Sequence, residues 1–331
     1  MPSVSERDAF STHLVRAALA VASPAGARAR LSVLIHHRVR REPDPLFPGE
    51  IDAARFDAQL RLLARLFNVI PLRDAVPMLT AGTLPARAAC ITFDDGYADN
   101  CEVALPILAR HGLEAAFFVS TGYLDGGLMW NDAIIESIRG ARGKRLDLTP
   151  IGLRAFAIET LDEKHGAISE LIAGAKYLDP SEREKRCAAI RDLANVDVPR
   201  DLMMRSDQVR ALHAAGMDIG AHTVSHPILV RIDKEEARRE IAEGKSALET
   251  IIDAPVRHFA YPNGVPGVDY GRAHVEIVRE LGFDAAFSTA CGAASRRSDM
   301  FQLPRFTPWD RTPLRIGARF VRNLSAQVAV A

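Results

Sequence analysis

The sequence predicts an α/β fold in which parallel strands alternate with helices and close into a barrel. Short apolar runs rich in β-branched residues recur along the chain, and helical patterns separate most of them. Gly112, Gly216 and Gly282 each end a helical pattern directly before such a run. No GxGxxG motif follows any of the runs, so the pattern favours a barrel over a dinucleotide-binding sheet.

Composition excludes several classes of partner. The 331 residues contain 42 basic and 42 acidic side chains, so no excess charge indicates nucleic acid or an anionic membrane. No apolar run approaches the roughly 20 residues that a membrane span needs. Four cysteines without CxxC spacing are expected to be reduced, buried thiols. We therefore expect a cytoplasmic protein, with the periplasm as the alternative, and the sequence does not indicate an oligomeric state.

The predicted strands follow one another in a simple order. They cover residues 30–39, 88–95, 114–121, 217–223, 257–262, 283–289 and 301–306. Leucines and phenylalanines at helical spacing predict a helix over 55–67, and Ile241, Leu248 and Ile252 after an acidic start predict another over 233–252. Together these elements predict a distorted (β/α)7 barrel over residues 30–331.

Two segments lie outside the regular alternation. Residues 1–29 are predicted to form an N-terminal helical segment rather than an export signal, because Glu6 and Asp8 precede the apolar stretch and Pro24 interrupts it. Residues 128–200, approximately, are charged, helical in pattern and poor in strand signals. We expect them to form a helical insertion beside the strand ends.

The stretch CITFDDGYADN places two carboxylates, Asp94 and Asp95, at the end of a predicted strand. Neighbouring side chains on a strand point to opposite faces, but Gly96 permits a turn that brings both carboxylates to one rim. Two crowded carboxylates repel unless a cation or a shared proton compensates. The pattern therefore raises the question of where further cation ligands lie.

The stretch AHTVSH supplies two imidazoles, His222 and His226, at the end of a later predicted strand. Two imidazoles and one carboxylate with open positions are typical of a catalytic zinc site. Alone, the histidine pair is more often a polar loop. Together with the paired aspartates it predicts a divalent metal site, most readily for zinc.

TFDDG, HTVSH and FAYPNG together resemble the polysaccharide deacetylase family, also called the NodB homology domain or carbohydrate esterase family 4. The resemblance extends from VLIHHRV to LPRF and implies a distorted (β/α)7 barrel. It implies that Asp95, His222 and His226 bind a divalent metal and that Asp94 is the general base. A metal-activated water would attack an N-acetyl carbonyl, with the backbone N–H of Asn263 stabilising the oxyanion.

The third motif departs from the family pattern. Many relatives have RPPYG, whose arginine orients the base, whereas FAYPNG has Ala260 at that place. Arg257 lies three positions too early. Arg305 in LPRF is the candidate substitute, because it could reach Asp94 across the barrel mouth. The alternative is that Arg305 is an ordinary surface arginine. Tyr261, Pro262 and Asn263 remain the expected substrate-binding turn.

The late histidine that serves relatives as general acid is also missing, because no histidine follows His274. The leaving amine still needs a proton. A metal-binding histidine, protonated Asp94 or His37 could supply it, and His37 could equally be structural. Trp130 in MWND, with Asp132, is a candidate wall of the sugar pocket, the alternative being packing at the base of the insertion.

The resulting functional hypothesis is a metal-dependent hydrolase that removes N-acetyl groups from amino sugars of a polysaccharide or a lipid-linked saccharide. Two alternatives stay open. Some relatives hydrolyse other carbon–nitrogen amide bonds, and the missing histidine keeps that possibility. A catalytically silent glycan-binding barrel would explain both missing residues, but it would not need an intact base beside an intact metal triad.

Overall fold

The computed structural model describes residues 4–307 and 313–331. The strands are β1 (Leu31–His36), β2 (Asn68–Val69), β3 (Ala88–Phe93), β4 (Ala116–Val119), β5 (Arg145–Asp147), β6 (Ala155–Ala157), β7 (Asp218–Ala221), β8 (His258–Ala260) and β9 (Ala285–Phe287). The helices are α1 (Val4–Ala22), α2 (Ala53–Leu66), α3 (Leu72–Ala81), α4 (Leu105–Arg110), α5 (Trp130–Gly140), α6 (Leu161–Ala175), α7 (Pro180–Ala194), α8 (Ser206–Ala214), α9 (Lys234–Ile252), α10 (Arg272–Glu280) and α11 (Pro313–Leu324).

The main sheet is parallel and has the order β1-β3-β4-β7-β8-β9, with β2 pairing with β3. Helices cover its strands, and β1 and β3 are buried along their whole length. Burial of both faces explains why the strands read as continuous apolar runs rather than as alternating ones. The prediction of an α/β fold with a parallel sheet is confirmed.

The segment 303–306 joins the two edges of this sheet. Leu303 bridges to β9 and Phe306 bridges to β1, with backbone hydrogen bonds on both sides. Six of the seven predicted strands are regular strands, and the seventh is this bridging segment. The sheet is therefore curled, as expected for a distorted barrel, and the closing segment carries Arg305 into its interior.

Local sequence signals explain the helices and their ends. In α2 the Asp52 side chain accepts a hydrogen bond from the N–H of Arg55, and one helical face buries apolar side chains. Gly112, Gly216 and Gly282 have φ of +61°, +84° and +73° directly after helices. A residue without Cβ accepts this left-handed conformation at low cost, so each helix stops and a strand follows.

The insertion between β4 and β7 has a hydrophobic core of its own. Helices α5, α6 and α7 pack together around residues that include Ile138, Leu171 and Ile190. The prediction of helices here is confirmed, but the sequence analysis missed the antiparallel hairpin β5–β6. Each of its strands has only three residues, which is too short for an alternating pattern to be recognised.

The N-terminal helix α1 packs against α11 and contributes Val15 and Leu19 to the core of the main sheet. A Cβ at Gly317 would lie 2.4 Å from Cγ1 of Val15, so this glycine permits the close approach of the two helices. Within the described ranges, no helix has the length and apolarity required to cross a bilayer. The four cysteines are free, and Cys291 is exposed rather than buried as expected.

Candidate active site

The two aspartates of the TFDDG motif follow β3 at the rim of the sheet. Asp95 has φ of +75° and Gly96 has φ of +91°, so the chain turns through two left-handed residues. A Cβ at Gly96 would lie 2.9 Å from Cγ1 of Val119, which leaves room only for glycine. Because the chain turns here instead of continuing as a strand, the carboxylates of Asp94 and Asp95 both reach the His222 side chain.

The two histidines approach one oxygen of Asp95. Nε2 of His222 and Nε2 of His226 each lie 3.5 Å from Oδ1 of Asp95. Nδ1 of His222 lies 2.7 Å from the carbonyl oxygen of Ala260, and since a carbonyl only accepts, this nitrogen carries the proton. The Nε2 lone pair of His222 therefore faces Asp95.

These three side chains fit a divalent metal ion. Their ligand atoms lie within 4.8 Å of one another, and all three residues are buried or half-buried. Two ligands about 2.1 Å from one tetrahedral zinc ion would lie about 3.4 Å apart, close to the separations seen here. Two imidazoles and a carboxylate are a donor set that suits zinc and related divalent metals. The structure thus brings the three predicted ligands together.

The loop that carries the histidines is held in an unusual backbone conformation. Thr223 and His226 have φ of +65° and +52°, and the hydroxyl of Thr223 accepts a hydrogen bond from the N–H of His226. A left-handed conformation is costly for a β-branched residue and persists only where the surroundings enforce it. Strain at this point therefore accompanies the convergence of the two imidazoles.

Glu240 in α9 holds the same loop and was missed by sequence analysis. Its carboxylate accepts hydrogen bonds from the N–H groups of Val224 and Ser225, at 2.9 and 2.8 Å, and from the Ser225 hydroxyl at 2.7 Å. No sequence signal distinguishes this glutamate from the other acidic residues of α9. It is a positioning residue for His226, which follows Ser225 directly.

Asp94 is held by Arg305 in a buried ion pair. Nη1 and Nη2 of Arg305 lie 2.6 and 2.7 Å from the two oxygens of Asp94, and the arginine is fully buried. Burial raises the pKa of Asp94, but Arg305 and then His222 lower it by more, so the carboxylate is favoured. Arg257 is exposed and pairs with Asp284 instead. The structure therefore places Arg305, and not Arg257, against Asp94, and the role of Arg305 in catalysis stays a prediction.

The FAYPNG segment requires a correction. Tyr261 was expected to bind substrate, but its side chain is fully buried. Its ring stacks on that of Tyr270, with the ring centroids 3.8 Å apart, and its hydroxyl donates a hydrogen bond to the Phe301 carbonyl. It is a core residue because the strand direction turns its side chain inward. Pro262 is buried as well, whereas Asn263 is half-buried with φ of +58°. Their roles in substrate binding remain predictions.

The two histidines at the end of β1 have different surroundings. His36 is buried, stacks 5.2 Å from Phe93, and has its pKa lowered to about 3 by burial and then by His37. His37 is exposed and lines a cavity of about 260 Å³ with Asp95 and Asp132. The structure places His37 at the candidate site, and its role as proton donor stays a prediction.

Asp132 lies in the same cavity and contributes from the insertion. It is buried and accepts a hydrogen bond from the Tyr97 hydroxyl at 2.9 Å. Burial raises the pKa of Asp132 to about 7, although Arg38 and the Tyr97 hydrogen bond oppose the shift. Trp130 begins the same helix but lines a second cleft, where the guanidinium of Arg183 lies 4.9 Å from its ring.

Comparison with known proteins gives the same assignment as the motifs. The family model described as polysaccharide deacetylase matches residues 81–286. The Bacillus subtilis (strain 168) protein YxkH is 20% identical over 279 residues, which cover 84% of this chain and 71% of YxkH.

Solved structures share the fold at low sequence identity. The Streptococcus pyogenes deacetylase PplD matches with a TM-score of 0.59 and 18% identity, over 90% of this chain and 99% of PplD. IcaB from Ammonifex degensii matches with a TM-score of 0.56 and 20% identity, over 90% of this chain and 98% of IcaB. The family match covers more than half of the chain and includes the predicted metal ligands. The chain therefore belongs to the polysaccharide deacetylase family.

Proposed function

We propose that this protein is a metal-dependent N-deacetylase that hydrolyses acetamido groups on the amino sugars of a polysaccharide or lipid-linked saccharide. One observation carries the proposal. Asp94 is held as an anion by Arg305 beside the Asp95, His222 and His226 cluster, with Nε2 of His222 4.0 Å from Oδ2 of Asp94. A general base next to a metal triad is an arrangement that can activate water for the hydrolysis of an amide.

The chemistry divides between the triad and its neighbours. A divalent cation held by Asp95, His222 and His226, which we propose to be zinc, would acidify a water molecule and polarise the acetyl carbonyl. The oxygen of a water molecule bonds to the carbonyl carbon while Asp94 accepts a proton from that water. The carbon–nitrogen bond then breaks, and the nitrogen takes a proton from Asp94 or His37. Acetate and a free amine are the products.

The names of structural neighbours support deacetylation as the reaction class. PplD is described as a deacetylase in complex with acetate, and a neighbour from Aggregatibacter actinomycetemcomitans is described as a de-N-acetylase, with a TM-score of 0.52. Acetate is the small product expected of deacetylation. These neighbours are 18% identical to the chain, so they support the reaction class and leave the glycan itself to experiment.

A second candidate reaction is hydrolysis of a different carbon–nitrogen amide bond. The observation that favours it is the sequence after His274, which contains no histidine to serve as general acid. A better leaving group than a sugar amine would need less proton donation. Parallel assays with N-acetylglucosamine oligomers and a small cyclic amide separate the two reactions, because only the first releases acetate.

The test of the proposal is the Asp94→Asn variant. It preserves the shape of the base and removes its proton affinity, so acetate release from chitooligosaccharides is expected to fall at least about 100-fold. Metal content, measured by mass spectrometry, is expected to match the wild type. Asp253→Asn at an exposed position is the control. Undiminished acetate release by Asp94→Asn with bound metal would refute the mechanism, and glycan binding without acetate release by the wild type would favour a silent binder.

A further inference from the structure

A second cleft lies between the insertion and the loop that carries the metal-binding histidines. It has a volume of about 580 Å³, and its lining includes Tyr123, Trp130, Arg183, Glu184, Arg191 and Ser225. The hydroxyl of Tyr123 donates a hydrogen bond to the carbonyl of Ser225 at 2.7 Å. Because Ser225 immediately precedes His226, one end of the cleft adjoins the candidate active site.

Arg183 is a buried cation without a counter-ion in this cleft. Only 6% of its surface is exposed, yet among the described residues its side chain donates no hydrogen bond and forms no ion pair. An arginine stays charged in a protein and carries five N–H donors. None of the Arg183 nitrogens is among the fully buried polar atoms that lack a partner, so its N–H groups face the open cleft.

Contact with the Trp130 ring does not satisfy this arginine. The centre of the guanidinium lies 4.9 Å from the ring centroid, an arrangement that contributes about 1 kcal/mol. The ring offers no carbonyl or carboxylate oxygen to the N–H groups. Burial lowers the pKa of Arg183, while Tyr123, Cys187 and Asp179 oppose the shift without restoring the ordinary value. The guanidinium therefore has N–H donors that no described protein group accepts and that a ligand in the cleft can reach.

The other charged groups that line the cleft do not neutralise Arg183 by direct contact. Arg191 lies 3.6 Å from Asp192 in an exposed ion pair, and Glu184 is the acidic side chain in the lining. Glu184 is exposed and forms no ion pair with Arg183. Among the charged side chains that line the cleft, Arg183 is thus the cation without an ion-pair partner in the described part of the chain. An incoming anion would find its free N–H donors.

We propose that this cleft binds an anionic group of the glycan substrate, a phosphate ester or a carboxylate, through Arg183. The inference rests on the proposed deacetylase function and specifies its substrate as an acidic saccharide. A guanidinium matches the paired oxygens of phosphate and carboxylate groups. Trp130, beside Arg183, then lines the binding site for the sugar that bears the anion.

Matched substrates test this proposal in the wild-type protein. The neutral probe is N,N′-diacetylchitobiose, the phosphate probe is its 1-phosphate, and the carboxylate probe is N-acetylglucosamine linked to glucuronic acid. At least one anionic probe is expected to have a kcat/KM about tenfold above the neutral probe, through a lower KM. A preference for the phosphate probe alone assigns a phosphate site, and a preference for the carboxylate probe alone assigns a carboxylate site. Equal values for all three probes overturn the proposal.

Variants on α7 test whether Arg183 causes the preference. Arg183→Gln is expected to reduce the anionic-to-neutral ratio of kcat/KM to about one, and Arg183→Lys to retain part of it. Lys185→Gln removes the same charge from an exposed position on the same helix that lies outside the lining, and should keep the full ratio. A ratio unchanged in Arg183→Gln, or lost equally in Lys185→Gln, would contradict the assignment.

Binding measured without turnover separates this inference from the deacetylase proposal. Calorimetric titration of chelator-treated wild-type protein with the anionic and neutral probes should show about a tenfold difference in Kd. This difference can exist even if no probe releases acetate, in which case only the proposed reaction fails. If Arg183→Gln does not fold, as judged by its Tm, the wild-type difference in Kd and Arg183→Lys decide the question. Equal wild-type affinities refute the subsite.

Discussion

The guanidinium of Arg305 donates two hydrogen bonds to the carboxylate of Asp94, at 2.6 and 2.7 Å, although 211 positions separate the two residues in the sequence. Nε of Arg305 also donates to the carbonyl of Ser288 at 3.2 Å. A planar fork held at both ends fixes the orientation of the carboxylate it contacts. Asp94 is therefore presented to the candidate metal site in one orientation and as an anion.

The Arg305→Met variant is expected to be less stable than the wild type. Its activity is also expected to be lost at a higher pH on acidification. It leaves the buried Asp94 carboxylate without its cation, and breaking a buried pair in this way costs about 3 kcal/mol or more. Because Arg305 lowers the pKa of Asp94 in the wild type, its removal raises that pKa. Activity that needs the carboxylate should then be lost at a higher pH as the solution is acidified.

Urea unfolding and the pH profile of acetate release measure these two effects. Arg257→Met is the matched control, since Arg257 is exposed and forms an ion pair of 3.3 Å with Asp284. Its free energy of unfolding should change by less than about 1 kcal/mol. An acid limb at the same pH in Arg305→Met and wild type would show that Arg305 does not control Asp94.

Glu240→Gln is expected to weaken metal binding without removing a ligand. The carboxylate of Glu240 accepts three hydrogen bonds from Val224 and Ser225, and a neutral amide would bind their N–H groups less strongly. Loss of such an outer contact typically reduces metal affinity about 10- to 100-fold. Competition with a chromophoric chelator gives the affinity, and the exposed Glu243→Gln on the same helix should match the wild type.

Gly244→Ala is expected to destabilise the histidine loop despite the better helix propensity of alanine. A Cβ at this position in α9 would lie 2.9 Å from the backbone carbon and oxygen of Thr223. The loop would have to move, so both Tm and metal affinity should fall. Gly174→Ala in α6 meets no atom within 4 Å and should instead stabilise the protein by about 0.5–1 kcal/mol. Equal effects of the two substitutions would show that the loop tolerates the displacement.

Asp132→Asn is expected to change how stability depends on pH. Burial raises the pKa of Asp132 to about 7, so between about pH 4 and pH 7 the folded protein keeps a proton that the unfolded chain has released. The free energy of unfolding therefore falls as pH rises through this window, by up to about 1.4 kcal/mol per pH unit. Asp132→Asn has no carboxyl group at this position, so this decrease in the free energy of unfolding is absent from the variant.

Urea unfolding at several pH values between 4.5 and 7.5 provides the measurement. The difference in unfolding free energy, variant minus wild type, should increase steadily with pH. Asp162→Asn, at an exposed position in α6, is the control and should give a constant difference. A constant difference for Asp132→Asn as well would show that the carboxyl is already ionised throughout the window.

Much of the fold and part of the site could be predicted from the sequence. Continuous apolar runs indicated buried parallel strands, and Gly112, Gly216 and Gly282 marked where three of the strands begin. The paired aspartates and the histidine pair followed predicted strands, so their meeting at one rim followed from the parallel arrangement alone. Patterns of this kind depend only on neighbouring residues, which is why the sequence sufficed to predict them.

Other features depended on directions that local patterns do not encode. Tyr261 belongs to the expected turn, yet its ring points into the core toward Tyr270. In sequence, Glu240 resembles the other acidic residues of its helix. Only the packing of the histidine loop against it, with a hydrogen bond from the N–H of Ser225, distinguishes it. The hairpin β5–β6 is too short to show a period.

The sequence by itself determined the alternation of strands and helices and the identity of the candidate metal ligands, because these depend on periodicity and on the chemistry of single residues. Only the tertiary structure decided that Arg305 partners Asp94 and that Arg183 is buried without a counter-ion. The physical reason is that charge compensation depends on distances between remote segments. Those distances are set by how the sheet curls and how the insertion packs.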